Sequence, residues 1–218
     1  MNRGIEPLPE TAASRYIGSM NQIFAPPVAR PSTQAAEGLP RWRWTAAEIE
    51  RAAECGIFNE DDRFELIGGE VVPMSPKGLR HERLRVMLTY FWSRMAPADI
   101  IVASEPQFNL DVDFFVNPDV VVFPLALDID KLRGNEALLV VEISETSLRY
   151  DVKTKLPIYA SHNVPEYWII NAVTRKTTIH RQPSGHTYEV EEEHSADKLL
   201  VPSLIPALAI ALKSLRLD

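Results

Sequence analysis

The chain has 218 residues, of which 45% are hydrophobic and 24% charged, a composition typical of a globular protein with one sizeable core. Its net charge of −7 argues against a protein that coats nucleic acid through bulk positive charge, although it permits a local site. No apolar run approaches the roughly 20 residues that span a membrane, and the amino terminus lacks the basic-then-apolar order of a secretory signal. We therefore expect a cytoplasmic protein with no membrane partner.

Residues 1–40 differ in composition from the rest of the chain. They contain six prolines and show no sustained apolar period. Such a segment buries too little apolar surface to offset the entropy of ordering it. We therefore predict a flexible, proline-rich N-terminal extension at residues 1–40 and a folded domain at residues 41–218.

The first predicted elements of the domain are a helix, a hairpin and a second helix. Thr45 and Glu48 have the spacing of a capping box, which predicts the start of a short amphipathic helix. Two adjacent glycines within residues 63–72 predict a hairpin, because glycine adopts the positive φ angles of a tight turn. Apolar residues at helical spacing then predict a helix from about His81 to Met95, with a core face formed by Leu84, Leu88, Phe91 and Met95.

The rest of the domain is predicted to mix strands and helices. Residues 138–143 are apolar on both faces except for Glu142, as expected of a central strand covered on both sides. A helix is predicted at residues 148–162, with Val152, Leu156 and Tyr159 on its core face. The other predicted elements are strands at residues 100–103, 107–112, 119–123 and 167–170, a hairpin at 177–191, and a short apolar helix after residue 199. Together they predict an α/β fold.

Three residues of the predicted sheet and helix could carry chemistry. Asp119 opens a strand, Glu142 lies near the end of a buried strand, and Lys155 lies in the next helix. Mg²⁺ prefers oxygen ligands, so the two carboxylates could hold it if their strands are neighbours, with the carbonyl of Ile143 as a third oxygen. Taken singly, Asp119 could be a turn residue and Asp151 with Lys155 a solvated ion pair. Glu142 needs a partner or a metal, because an unpaired buried carboxylate is costly.

Several motifs in a fixed order give the chain a resemblance to a known family. They are residues 63–70 (RFELIGGE), His81, residues 117–121 (NPDVV), 140–147 (VVEISETS), 151–155 (DVKTK), Tyr159 with Ala160, and 164–170 (VPEYWII). From about Trp44 to the C-terminus the chain resembles the Uma2 family of restriction endonucleases, which belongs to the PD-(D/E)XK nuclease superfamily. The resemblance implies a restriction-endonuclease-like fold, with a mixed central sheet flanked by helices.

The resemblance also implies roles for individual residues. The superfamily's aspartate falls on Asp119 and its second acidic residue on Glu142, which makes both of them metal ligands. The position two residues after Glu142 normally holds a lysine and is Ser144 in this chain. In the family the lysine comes from the following helix, where it corresponds to Lys155. Glu65 matches an additional acidic position of the family.

The resulting hypothesis is a Mg²⁺- or Mn²⁺-dependent endonuclease that hydrolyses DNA phosphodiester bonds. Two alternatives stay open: a catalytically silent nucleic-acid-binding or scaffold protein of the same fold, and a hydrolase of a smaller phosphate ester. The sequence leaves the oligomeric state open, a homodimer included.

His81 matches a frequent family histidine, with a capping or packing role as the alternative. Candidates for local positive charge around the site are Arg80, Arg83, Arg85, Arg149, Lys153 and Arg175.

Overall fold

The structure is a computed structural model and describes residues 41–59 and 61–215. Apart from Arg41, these residues belong to a compact unit that spans Trp42–Asp218. The proline-rich extension predicted at residues 1–40 lies outside the described residues, and the division into extension and domain stays a prediction. No helix in the described part is both long and apolar enough to cross a membrane.

A short helix and a hairpin form as their sequences predict. Helix α1 (Ala46–Glu54) begins with a complete capping box, in which the backbone N–H groups of Thr45 and Glu48 each donate to the other residue's side chain. Strands β1 (Phe64–Ile67) and β2 (Glu70–Pro73) pair antiparallel. The two glycines between them have φ angles of +58° and +79°, the left-handed region that a tight hairpin turn requires.

A small sheet holds this hairpin against two further strands, β4 (Phe108–Asp111) and β5 (Phe114–Val116). Within the described residues, its strand order is β2-β1-β5-β4. Strand β5 is missing from the sequence prediction, because it has three residues and follows directly on a tight turn. Its apolar residues nevertheless help to bury the inner face of β1, where Leu66 is opposite Phe115.

The larger sheet is the centre of the fold. Its members are β3 (Ile100–Ser104), β6 (Val120–Pro124), β7 (Leu139–Ser144), β8 (Glu166–Asn171), β9 (Thr177–Ser184) and β10 (Thr187–His194). In the part of the chain described, they lie in the order β10-β9-β8-β7-β6-β3. Neighbouring strands are antiparallel except for β7 and β8, which are parallel. Every residue of β7 is buried, as predicted for a central strand, and the α/β class is confirmed.

Helix α2 (Leu79–Met95) covers one face of the central sheet. Its buried apolar residues are Leu84, Leu88 and Trp92, and the Trp92 ring meets that of Trp168 edge-on with centroids 5.9 Å apart. Met95 is 52% exposed, so the predicted core stripe is wrong at its last position. Trp92 takes the buried place because it continues the row of every fourth residue that Leu84 and Leu88 begin.

The connection from β7 to β8 is helical but not a single helix. It consists of α3 (Leu148–Tyr150), a π turn (Asp151–Lys155) and α4 (Leu156–Ser161). Val152 is 42% exposed, so the predicted core face is wrong at this position. The two ends of the π turn, Asp151 and Lys155, are buried instead, because this side of the helix borders a cavity that many ionisable residues line. Such π turns are rare and frequently lie at functional sites.

The C-terminal segment also departs from the prediction. In place of a short apolar helix, the structure has two 3-10 turns, at Pro206–Leu208 and Leu212–Ser214. Leu208, Ile210 and Leu212 are buried at every second position, which is the period of extended chain rather than of a helix. The segment still packs against the core formed by α2 and the central sheet.

Candidate active site

A cavity of about 640 Å³ opens where β6 begins and β7 ends. Its walls come from β1, the loop between β2 and α2, the first turn of α2, and the segment of α3 and the π turn. The ionisable residues that line it are Glu65, Lys77, His81, Asp119, Glu142, Glu145, Arg149, Tyr150, Asp151, Lys153 and Lys155. The four residues predicted as catalytic are therefore brought to one cavity.

Asp119 and Glu142 reach the cavity from neighbouring strands. Strands β6 and β7 pair with Val120 opposite Val141, and this register extended by one residue puts Asp119 opposite Glu142. Residues directly opposite each other project from the same face of a sheet. Both carboxylates consequently lie on one face, and Asp119 and Glu142 are 1% and 4% exposed.

Asp119 is held by three donors. Its Oδ2 accepts a hydrogen bond from the Ile143 backbone N–H at 2.6 Å and lies 2.9 Å from His81 Nε2, while Oδ1 accepts from Lys77 Nζ at 2.6 Å. Burial by itself would raise the pKa of Asp119, but His81 and Lys77 outweigh burial and lower it. Asp119 is thus kept as a carboxylate, and His81 faces the cavity rather than only packing in its helix.

Glu142 shares a buried lysine with Glu65. Lys155 Nζ lies 2.8 Å from Glu142 Oε1 and 2.9 Å from Glu65 Oε1, and the Tyr159 hydroxyl donates to the same Glu142 oxygen at 2.7 Å. Burial raises the pKa of Glu142 to about 8, because the opposing effect of Lys155 is offset by the nearby carboxylates, Asp119 among them. Burial would lower the pKa of Lys155, but Glu142 and Glu65 raise it, so the ammonium stays charged.

Glu65 is oriented by its own contacts. It stands on β1, and its Oε1 accepts from the Asn117 backbone N–H at 3.0 Å, while its Oε2 accepts from the Tyr150 hydroxyl at 2.8 Å. The small sheet therefore delivers one carboxylate to a site whose other groups come from the central sheet. This explains how an acidic residue more than fifty positions before Asp119 comes to lie beside Lys155.

Sequence reasoning misses several groups of the cavity. Asp151 is interpreted as half of a solvated pair, but it is 2% exposed, and burial raises its pKa to about 6. Tyr159 follows Lys155 by four residues, a spacing that could have placed the two side chains together. Lys77 gives no such signal, because it lies in a loop and its partners Glu105 and Asp119 are 28 and 42 residues away.

The predicted positive ring is only partly present at the cavity. Arg149 and Lys153 line its mouth and are exposed. Arg85 pairs with Glu82 and Glu105 beside the site, which leaves it a supporting role. The remaining three lie outside the cavity lining: Arg80 and Arg83 on exposed positions of α2, and Arg175 in the turn between β8 and β9.

The donors available to a metal ion are few. In the part of the chain that the structure describes, no three His, Cys, Asp or Glu side chains are grouped so as to hold one. Two carboxylates and a backbone carbonyl nevertheless suit Mg²⁺, which keeps several waters and commonly uses one or two protein carboxylates. The residues present are therefore compatible with a hydrated divalent ion, and they do not form a closed cage.

Comparison with known proteins agrees with this architecture. The Uma2 family, described as "putative restriction endonuclease", matches residues 46–213. Among solved structures, the chain is similar to "a putative nuclease belonging to DUF820" from Anabaena variabilis, at 16% identity and a TM-score of 0.59, over 78% of this chain and 95% of that chain. That likeness shows the fold, which is restriction-endonuclease-like as predicted. No curated protein matches the chain significantly. Because the family match spans most of its length, the chain belongs to the Uma2 family.

Proposed function

We propose that this protein is a cytoplasmic, divalent-metal-dependent endonuclease that hydrolyses DNA phosphodiester bonds. The observation that carries the proposal is the pair of carboxylates on adjacent strands, Asp119 and Glu142, in one cavity with a buried lysine on Glu142. A cavity that concentrates ionisable groups with displaced pKa values is a candidate active site on physical grounds. The nuclease description of the family agrees with that chemistry.

The metal ligands in this proposal are Asp119, Glu142 and the carbonyl of Ile143. In a strand, the N–H and C=O of one residue point to the same neighbouring strand, and the Ile143 N–H donates to Asp119. Its carbonyl is thus directed to the same side as the Asp119 carboxylate. A bound Mg²⁺ or Mn²⁺ would polarise the scissile phosphate and lower the pKa of a water molecule.

Lys155 has the role of a fixed positive charge. Hydrolysis joins the water oxygen to phosphorus and breaks one P–O ester bond, while the water proton leaves to solvent and the departing oxygen gains a proton. Negative charge grows on the phosphate oxygens during this exchange, and a preorganised cation nearby stabilises it. Glu142 and Glu65 hold the Lys155 ammonium in place, and they keep it protonated by raising its pKa.

DNA would reach the site through its exposed mouth. Arg149 and Lys153 lie there with their side chains exposed, where they can contact backbone phosphates on either side of the scissile bond. Most of the net negative charge lies elsewhere, since residues 182–198 hold −4 of the total −7. Two exposed cations at the entrance would be sufficient for contact with a few phosphates, although the chain as a whole is acidic.

The test is cleavage of supercoiled plasmid DNA by purified protein. With Mg²⁺ or Mn²⁺ the wild type is expected to produce nicked DNA if it acts as a monomer and linear DNA if it acts as a homodimer, and a chelator is expected to stop both. Asp119→Ala and Glu142→Ala should each lower the rate by about 100-fold or more, because each removes a ligand. Lys155→Ala should lower it by a similar factor while Mn²⁺ binding persists.

A matched control separates these effects from a general change in charge. Glu189→Gln removes one negative charge from an exposed position of β10, outside the cavity lining, and should cleave at the wild-type rate. Wild-type cleavage rates in the Asp119 and Glu142 variants would refute the proposed site. Salt-sensitive DNA binding without cleavage under any metal condition would refute the proposed activity.

One observation favours a second candidate, a silent nucleic-acid-binding or scaffold protein. Both candidate metal ligands already pair with lysines: Asp119 with Lys77 and Glu142 with Lys155. Such pairing can stabilise a fold without any metal. The plasmid assay decides, because the silent protein would bind DNA with the steep salt dependence of counterion release and cleave nothing. A hydrolase of a smaller phosphate ester would instead show activity with little dependence on salt.

A further inference from the structure

Lys77 lines the cavity but has no role in the sequence prediction or in the proposed mechanism. It lies between β2 and α2, and its Nζ donates to Asp119 Oδ1 and to Glu105 Oε1, both at 2.6 Å. Its side chain is 18% exposed, compared with 6% for Lys155. Lys77 therefore faces Asp119 from the rim of the cavity, whereas Lys155 contacts Glu142 at a more buried position.

The two oxygens of Asp119 are not equivalent. Oδ2 is engaged by two groups of the rigid framework, the Ile143 backbone N–H on β7 and His81 Nε2 on α2. Oδ1 accepts from the Lys77 ammonium, which is carried by a flexible side chain on a loop. A cation that binds Asp119 with the least disturbance takes Oδ1, and it must displace Lys77 because two positive charges cannot share that position.

Displacing Lys77 leaves no carboxylate without a partner. Glu105 keeps Arg85, whose NH1 lies 3.3 Å from Glu105 Oε2. Asp119 keeps the contacts of its Oδ2 with His81 and the Ile143 N–H. Breaking an ion pair is costly mainly because it leaves a buried charge without a partner, and the remaining contacts of Glu105 and Asp119 avoid that cost. The displaced ammonium stays at the rim of the cavity, because the loop that carries Lys77 lines it.

We propose that Lys77 is a further catalytic residue of this site, which occupies Asp119 Oδ1 in the metal-free protein, yields it to the divalent cation, and then donates to the scissile phosphate. The inference rests on the proposed nuclease function. Lys77 remains a protonated ammonium throughout and transfers no proton, so the bonds made and broken are those of phosphodiester hydrolysis. The contact of Lys77 with the phosphate is thereby available only when the metal is bound.

The test compares Lys77→Met with wild type in two measurements that should change in opposite directions. Titration of metal-free protein with Mn²⁺ by calorimetry, without DNA, should show about tenfold tighter binding to the variant, because the competing ammonium is gone. Cleavage of plasmid DNA at saturating Mn²⁺ should be slower by about tenfold or more, because a phosphate donor is lost. A residue that only supports the loop would weaken both.

Lys153→Met is the charge-matched control for the Mn²⁺ titration. It removes one cation from the mouth of the same cavity. Mn²⁺ affinity should change by less than about threefold, because Lys153 acts on the bound ion only through long-range electrostatic repulsion, which salt screens. Lys77→Arg keeps the charge and should return Mn²⁺ affinity and cleavage toward wild-type values. Lys77→Gln carries the same expectations as Lys77→Met and replaces it if a melting curve shows that Lys77→Met is unfolded.

Three results would overturn the proposal, and they differ from failure of the nuclease function. Equal or weaker Mn²⁺ binding by Lys77→Met would show that Lys77 does not compete for the ligand. Tighter binding with undiminished cleavage would remove its catalytic role. Equal tightening in Lys153→Met would mean that overall charge, not occupancy of Oδ1, sets the affinity. If wild type neither binds Mn²⁺ nor cleaves DNA, the nuclease function itself is refuted, and this inference with it.

Discussion

Replacing Glu142 by Gln in the metal-free protein should make stability less sensitive to rising pH. The pKa of Glu142 is raised from an ordinary value of 4.5 to about 8 by burial, with Asp119 and other carboxylates adding to the effect. Between these two values the folded state binds more protons than the unfolded state, so folding becomes less favourable as the pH rises. The destabilisation is absent at low pH and complete above about pH 8. Glutamine carries no charge, so the variant does not undergo this destabilisation.

The size of the effect follows from the pKa difference. Each unit of displacement corresponds to about 1.4 kcal/mol, so the displacement from 4.5 to about 8 sets an upper limit of about 5 kcal/mol on the stability that the variant gains over wild type, a gain that grows between about pH 5 and pH 8. Lys155 loses Glu142 as a charged partner in the variant but keeps Glu65 at 2.9 Å, which limits the stability lost with that ion pair. At every pH, Glu142→Gln should therefore be as stable as wild type or more stable.

Urea unfolding in the presence of a chelator, at several values of pH, measures this difference directly. The control is Glu189→Gln on β10, an exposed change that should alter stability by less than about 0.5 kcal/mol at any pH. A stability difference between Glu142→Gln and wild type that does not grow with pH would refute the reasoning. A variant less stable than wild type throughout would show that the pair with Lys155 outweighs the cost of burial.

Two further predictions concern the fold. Leu84→Ala removes a fully buried side chain from α2 and should cost about 2–5 kcal/mol of unfolding free energy in urea; a loss below about 1 kcal/mol would show that the core is misplaced. Gly69→Ala and Gly185→Ala both place a side chain at positive φ, but only at Gly69 would the new Cβ meet other atoms, at 2.7 Å from Arg43 Cβ. Gly69→Ala should therefore lower the melting temperature more than Gly185→Ala, and equal losses would contradict the packing of the hairpin turn.

The elements that the sequence predicts correctly depend on neighbours in the chain. The capping box of α1 involves Thr45 and Glu48, and the hairpin turn involves two adjacent glycines, so their whole physical cause lies within a few residues. The burial of β7 can also be predicted from the sequence, because a strand that is apolar on both faces is expected to be covered on both faces. The convergence of Asp119 and Glu142 required one further assumption, that their strands are neighbours, which the antiparallel pairing of β6 and β7 satisfies.

The errors arise where tertiary surroundings reverse a local preference. Val152 is apolar and is predicted to lie on the core face, but the inner side of its segment faces a cavity at which Asp151 and Lys155 are buried instead. The spacing of apolar residues cannot show that one side of a helix faces a cavity lined by ionisable residues. The contact of Lys77 with Asp119 cannot be predicted from the sequence either, because Lys77 lies in a loop and the two residues are 42 positions apart.

Among the described residues, β10 is an edge strand of the central sheet and has eight residues. Such an edge can pair with the same edge of another molecule and start aggregation. Here the edge carries Glu189, Glu191, Glu192 and Glu193, so two copies aligned along it would bring like charges together. Like charges at such an edge would oppose growth of the sheet across molecules, although Glu192 and Glu193 also pair with Arg181 and Lys176 of their own chain. Neutralising these glutamates in combination would remove that repulsion while leaving the cavity on β6 and β7 untouched.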